Sequence, residues 1–302
     1  MRFLKLQHIP VIPLPQLARY LQGKDTIPDH AVVITIDDGY KTAVTKAWPI
    51  LRRYGFPFTV FIYPQAISRH GSAMTWRDVN ALVRAGVDVE SHSMTHPLLT
   101  HPGVVMDADA YDAWLDEELA GSKKIIEQHT GVKATALAYP FGGYDEHVVE
   151  KTRAAGYLVA LTCDDGNVWS HTDPWHVNRR LVYHRTRWRD FVDGIFGRPL
   201  WLANLTPGDG ERVGHVPREI VARILNLQQI LPDSLRILVD KLGRRWLPAK
   251  IDPTSGIVAL PVSGKPKSGY YFVSLMARDR THPESWREAT WLFIVRRNAS
   301  KN

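Results

Sequence analysis

Two adjacent carboxylates, Asp37 and Asp38, stand in Thr35-Ile36-Asp37-Asp38-Gly39, directly after the apolar run Ala31-Val32-Val33-Ile34. Successive side chains of a strand point to opposite faces, so the two carboxylates project in different directions. One can hold a metal while the other works as a base. Two histidines follow in Ser91-His92-Ser93-Met94-Thr95-His96-Pro97, and a Pro-Gly turn in Ala138-Tyr139-Pro140-Phe141-Gly142-Gly143, each again after an apolar stretch. A carboxylate with His92 and His96 offers one oxygen and two nitrogens, a donor set suited to a hydrolytic zinc site that keeps a position open. The four-residue spacing of the histidines puts both on one side of a helical turn.

The elements that must position these groups alternate. Apolar strand candidates fall at 32–36, 57–62, 87–90, 134–139, 157–162 and 179–183, with helical patterns from Ala43 to Tyr54, Trp76 to Ala85, Tyr111 to His129 and Asp145 to Ala155. Gly55, Gly86, Gly131 and Gly156 stand where each helix stops. Repeated βα units imply a mainly parallel sheet or a barrel, which keeps its chemistry at strand ends. After Phe196 the pattern changes to short apolar runs around Leu235–Asp240, Ile251–Val258, Gly269–Leu275 and Ala289–Val295, divided by Pro, Gly, Asp and Ser turns. That spacing predicts an all-β sandwich.

The ordered set of motifs resembles the polysaccharide deacetylases of the NodB-homology type, carbohydrate esterase family 4, over roughly the first two thirds of the chain. The matching residues are Thr35-Ile36-Asp37-Asp38-Gly39, the pair His92 and His96, and Tyr139-Pro140-Phe141-Gly142. The resemblance implies a distorted, incomplete (β/α) barrel over 1–198, followed by an all-β domain over 199–302 that is similar to Ig-like modules. It also implies Asp37 as base, Asp38, His92 and His96 as metal ligands, and the Phe141 N–H as oxyanion donor, with Tyr139, Pro140 and Phe141 lining the sugar pocket. Two departures stand out: the Leu-x-His motif that supplies the acid is not evident, and the arginine two residues before the proline is Ala138. His184, after the last strand candidate, is the candidate acid. Asp164, with Asp165, is a candidate for substrate hydrogen bonding or for a turn with Gly166 and Asn167. Trp169, Trp175 and Trp188 are candidates for stacking on sugar rings or for core packing.

The expected activity is removal of N-acetyl groups from an N-acetylglucosamine polysaccharide, with the poly-N-acetylglucosamine type favoured. Alternatives are a peptidoglycan or chitin deacetylase, an acetylxylan esterase, and an inactive carbohydrate-binding matrix protein. Zn2+ is the expected metal, and Co2+ or Ni2+ suit the same donors. Of the 13 histidines, His8, His70, His129, His147 and His282 read as surface groups and His101 as a loop cap near the site. The lone cysteine, Cys163, excludes an intrachain disulfide and a cysteine metal site.

The net charge of +7 is uneven: from Leu200 onward there are 16 Lys and Arg against 9 Asp and Glu, and before it 22 against 22. The basic part reads either as a domain that favours an anionic envelope surface through long-range attraction or as a solvated surface with scattered Arg and Lys, and no dense basic run marks a nucleic-acid site. No stretch approaches the roughly 20 apolar residues that cross a bilayer, and Met1-Arg2-Phe3-Leu4-Lys5 leads into no signal-peptide core. The resemblance nonetheless implies an extracytoplasmic location.

Overall fold

Five short strands, β1 (Thr35–Ile36), β2 (Thr59–Ile62), β3 (Asp88–Ser91), β4 (Ala136–Ala138) and β5 (Val159–Leu161), pair in parallel in that order. The computed structural model describes residues 1–100, 106–243, 245–262 and 268–296, so His101 lies outside the described residues. Parallel neighbours require a crossover between them. Helices Trp48–Tyr54, Trp76–Arg84, Ser122–Thr130 and Glu146–Ala154 fall in these connections, and the sheet curls into an incomplete barrel. All four residues of β2 are buried, as expected of a strand covered on both faces. Val60, Ile62, Val79, Leu82, Val89 and Ile126 belong to one core.

Helix stops follow the glycines. Gly55 and Gly131 cap their helices in the left-handed region, with φ of 68° and 74°, where glycine carries no Cβ penalty. Helix Trp76–Arg84 starts at a capping box in which Thr75 and Asp78 exchange bonds. Residues 179–183 form no strand. Leu181, Val182 and Tyr183 are exposed, so no buried face holds the segment in a ladder, and only Val177 makes a single bridge to Leu161.

The chain packs as two compact units, Met1–Thr162 with Ser170–Val177, and Cys163–Trp169 with Asn178–Asn302. Segment 178–198, including helix Trp188–Phe196, thus packs with the C-terminal strands. Those strands are β6 (Arg198–Pro199), β7 (Leu202–Thr206), β8 (Glu211–Val213), β9 (Glu219–Ile224), β10 (Arg236–Val239), β11 (Leu247–Pro248), β12 (Ile257–Pro261), β13 (Gly269–Arg278) and β14 (Trp286–Val295). One sheet runs β11-β10-β13-β14-β6 with β8 also on β14, and the other runs β12-β9-β7. Inward residues of both sheets, among them Ile220, Ile224, Val258, Ile237, Tyr271, Val273 and Trp291, share one core. Among the described residues, the second unit is therefore all-β apart from helix Trp188–Phe196 and short 3-10 turns.

Glu90 of β3 is buried and accepts the N–H of Thr135 at 2.6 Å, the N–H of Ala136 at 2.8 Å and the Thr135 hydroxyl at 3.0 Å. It ties β3 to the start of β4, just upstream of two motifs. Burial, and then the charge of Asp88, push its carboxyl up to about 8. Between about pH 4.5 and 8 the native state therefore holds a proton that the unfolded chain has released. Stability consequently falls as pH rises through that window, with a slope of up to about 1.4 kcal/mol per pH unit. Urea unfolding from pH 5 to 8.5 should show this decline, and Glu90→Gln should flatten most of it.

Candidate active site

The end of β1 delivers Asp37 and Asp38, the end of β3 delivers His92, and the end of β4 delivers Tyr139 to Phe141. His96 arrives on the loop after β3. The Asp38 Oδ1 lies 3.5 Å from His92 Nε2 and 3.3 Å from His96 Nε2, and the two Nε2 atoms are 3.1 Å apart. Asp37 Oδ2 stands 4.0 Å from His92 Nε2. His92 Nδ1 is 2.7 Å from the Ala138 carbonyl, which can only accept, so Nδ1 carries the proton and Nε2 presents a lone pair to the cluster.

A cation fits this donor set. Zinc bonds of about 2.0–2.1 Å in tetrahedral array separate their donors by about 3.3 Å, close to all three distances. Three protein donors also leave one position open. Asp38 is 37% exposed and His92 3%, so the cluster has a buried floor and an accessible side. Burial, followed by the neighbouring His92, lowers the pKa of His96, which favours the neutral form a ligand requires.

Backbone strain concentrates here. Asp38, Ser93, His96 and Phe141 are non-glycine residues with φ of 71°, 64°, 61° and 58°. Each such conformation costs about 1–3 kcal/mol and persists only where the surroundings over-determine it. The histidines therefore share a loop with two left-handed residues, not the expected helical turn. The His96 N–H bonds Ser93 Oγ at 3.0 Å to close it.

Phe141 is 64% exposed, and its ring meets that of His96 at 4.6 Å. Tyr139 corrects the reading of a pocket-lining residue. Its N–H bonds the Leu161 carbonyl, which continues the β4–β5 edge, and its ring is fully buried against Tyr144. Pro140 is buried beside it. Asp164, a candidate for substrate hydrogen bonding or for a turn, is buried in the second unit, where its carbonyl accepts the Arg179 N–H. His184 sits in an exposed turn of the second unit, outside any strand. Trp169 stacks on Trp201, Trp175 lies under Arg153, and Trp188 is exposed next to Phe191.

Sequence reasoning missed Tyr63 and Glu118. Tyr63 directly follows β2 and packs on His96 at 5.1 Å. Burial, and then the Asp38 charge, raise its pKa, so the phenol keeps its proton. Its signal was position, since the ends of β1, β3 and β4 all carry motifs. Glu118 accepts the N–H groups of Met94 and Thr95, both at 3.0 Å, and the Thr95 hydroxyl at 2.6 Å. A carboxylate on the face shared by buried Leu115 and Leu119 was the available sign.

Residues 24–160 match the family model for polysaccharide deacetylase. YxkH of Bacillus subtilis is 28% identical over 153 residues, covering 50% of this chain and 52% of its own length. The poly-beta-1,6-N-acetyl-D-glucosamine N-deacetylase of Staphylococcus epidermidis is 22% identical over 190 residues, covering 60% of this chain and 64% of its own. The chain thus spans about half to just under two thirds of the length of these relatives. Among solved structures, the de-N-acetylase from Aggregatibacter actinomycetemcomitans superimposes with a TM-score of 0.59 at 20% identity, over 64% of this chain and 86% of that one. Family match, fold and motif geometry coincide on the same residues, and the segment 24–160 is a polysaccharide deacetylase domain of the NodB type.

Proposed function

We propose that this protein is a metal-dependent hydrolase that removes N-acetyl groups from an N-acetylglucosamine polysaccharide outside the cytoplasm, with poly-N-acetylglucosamine the favoured substrate. The observation that carries this reading is the convergence of Asp38, His92 and His96, whose ligand atoms all lie within 4.8 Å of one another, beside a second carboxylate. The name of the Staphylococcus epidermidis relative supports the polymer, and the donor set supports Zn2+. The all-β part from 199 onward is assigned an accessory role as an Ig-like module.

Asp38, His92 and His96 would hold the ion, which when bound polarises the acetamide carbonyl and makes water acidic enough to attack near neutral pH. Asp37 takes the proton of the attacking water. Its carboxylate is 24% exposed and lies 4.0 Å from His92 Nε2. The Phe141 N–H, set by the left-handed turn at that residue, donates to the oxygen that gains charge in the tetrahedral state. Asp37 then carries the proton that the departing amine needs, so one carboxylate serves both steps. Phe141 and Tyr63 supply the ring faces and a phenol donor at the rim, suited to the C–H face and hydroxyls of a pyranose.

Asp37→Asn should lower kcat by about 10²- to 10⁴-fold while zinc stays bound. An active Asp37→Asn enzyme would remove the base from this scheme. Asp38→Asn should instead weaken zinc binding by about tenfold or more, measured by competition with a chromophoric chelator. The substrate is tested by acetate release from N-acetylglucosamine oligomers in β-1,6 and β-1,4 linkage and from acetylated xylan, each with a chelator control. Chelator-sensitive release from the β-1,6 oligomer alone is expected. Release only from the β-1,4 oligomer or xylan would move the assignment to a chitin-type deacetylase or acetylxylan esterase, and binding without release to a carbohydrate-binding role.

A further inference from the structure

Helix Ala108–Asp116 passes through a π-helical turn, Glu117–Gly121, into helix Ser122–Thr130. Such single-turn bulges rotate the face that follows and recur at functional sites. Here the turn buries Glu118 and Leu119 side by side, with Ser122 buried just after them. Glu118 is 2% exposed, a burial that carboxylates rarely reach unless their oxygens are satisfied.

The carboxylate is spent on one loop. Its Oε2 accepts the N–H groups of Met94 and Thr95, and its Oε1 accepts the Thr95 hydroxyl. Ser122 Oγ donates to the Ser93 carbonyl at 2.9 Å, and the His96 N–H bonds Ser93 Oγ. Every peptide link from Ser93 to His96 is therefore fixed by a hydrogen bond; from outside the loop, Glu118 and Ser122 provide the side-chain bonds and the Gln65 N–H donates to the Met94 carbonyl at 3.1 Å. His92 has a further anchor in the Ala138 carbonyl. His96 owes its place to the path of this loop and to packing against Tyr63 and Phe141.

We infer that Glu118 is a positioning residue for the metal site: by holding the Met94 and Thr95 amides it keeps the left-handed loop closed and carries His96 Nε2 to within ligand distance of Asp38 and His92. This rests on the metal reading above. Charge-assisted bonds from a buried carboxylate to backbone N–H groups are among the stronger ones available, which suits a loop with two unfavourable backbone conformations. Glutamine preserves the essential acceptor, since its amide oxygen can take both N–H groups while its NH2 donates to the Thr95 hydroxyl. Alanine leaves both amides buried and unmet.

The test is zinc affinity by chelator competition, with the visible spectrum of the cobalt-loaded protein as a second readout, on wild type, Glu118→Gln, Glu118→Ala and Thr95→Val. Glu118→Ala should bind zinc about tenfold more weakly or worse and show an altered cobalt spectrum, as loss of an outer ligand-orienting group does. Glu118→Gln should stay within about threefold of wild type, and Thr95→Val, which loses one bond, should fall by roughly threefold. Wild-type affinity and spectrum in Glu118→Ala would overturn this inference alone. Absence of zinc binding in wild type would overturn it together with the metal reading. Should circular dichroism show Glu118→Ala unfolded, Thr95→Val decides, and an unchanged affinity there overturns the inference.

Discussion

The constraint on which this structure depends is that three potential ligand atoms, Asp38 Oδ1, His92 Nε2 and His96 Nε2, are held 3.1–3.5 Å apart. Groups of that kind do not assemble on their own account, because each is better satisfied by water or by a proton donor. The parallel sheet brings the ends of β1, β3 and β4 to one edge, and this accounts for Asp38 and His92. It does not account for His96, which requires a loop with φ above 60° at Ser93 and His96. Local conformational energy is therefore given up at the site, and the stability that offsets it lies in the surrounding core and in Glu118.

Two buried glutamates serve this arrangement in different ways. Glu90 bonds the backbone at the start of β4 and so helps to set the register of the strand that carries Ala138 and leads into the turn at Phe141. Glu118 bonds the backbone of the loop that carries His96. Neither touches the cluster. Both occupy positions where an apolar residue would pack more cheaply, and both convert burial into fixed backbone geometry. Polar groups in a core contribute in this way only when fully satisfied. Each of these carboxylates has both oxygens engaged.

Much of the first unit was legible in the sequence because its signals are local. Apolar runs ending in Asp37, His92 and Tyr139 marked strand ends, and glycines at 55 and 131 marked helix stops through the left-handed conformation they permit. What escaped depends on contacts between distant residues. That Tyr139 turns inward while Phe141 turns out follows from the bond of Tyr139 to Leu161, which no local pattern encodes. Leu181-Val182-Tyr183 has strand-like composition but no neighbouring face to cover it. Conversely, β9 places Ile220, Ala222 and Ile224 inward with period two, but Glu219 and Arg223 on its outer side hid it among turn-like segments. His92 and His96 have helical spacing, yet the loop is shaped by tertiary hydrogen bonds that override propensity.

The departure at Ala138 has a structural logic of its own. The resemblance implies an arginine in that place that often supports the base. In this chain Ala138 is fully buried within the β4 ladder, and its carbonyl is the group that fixes the tautomer of His92. A guanidinium on this residue would have to leave a position that has no exposed surface, or be buried at a cost of several kcal/mol. Asp37 instead faces the cluster through His92, whose Nε2 lies 4.0 Å from its Oδ2, and the tautomer fixed by the Ala138 carbonyl aims that nitrogen at the carboxylates.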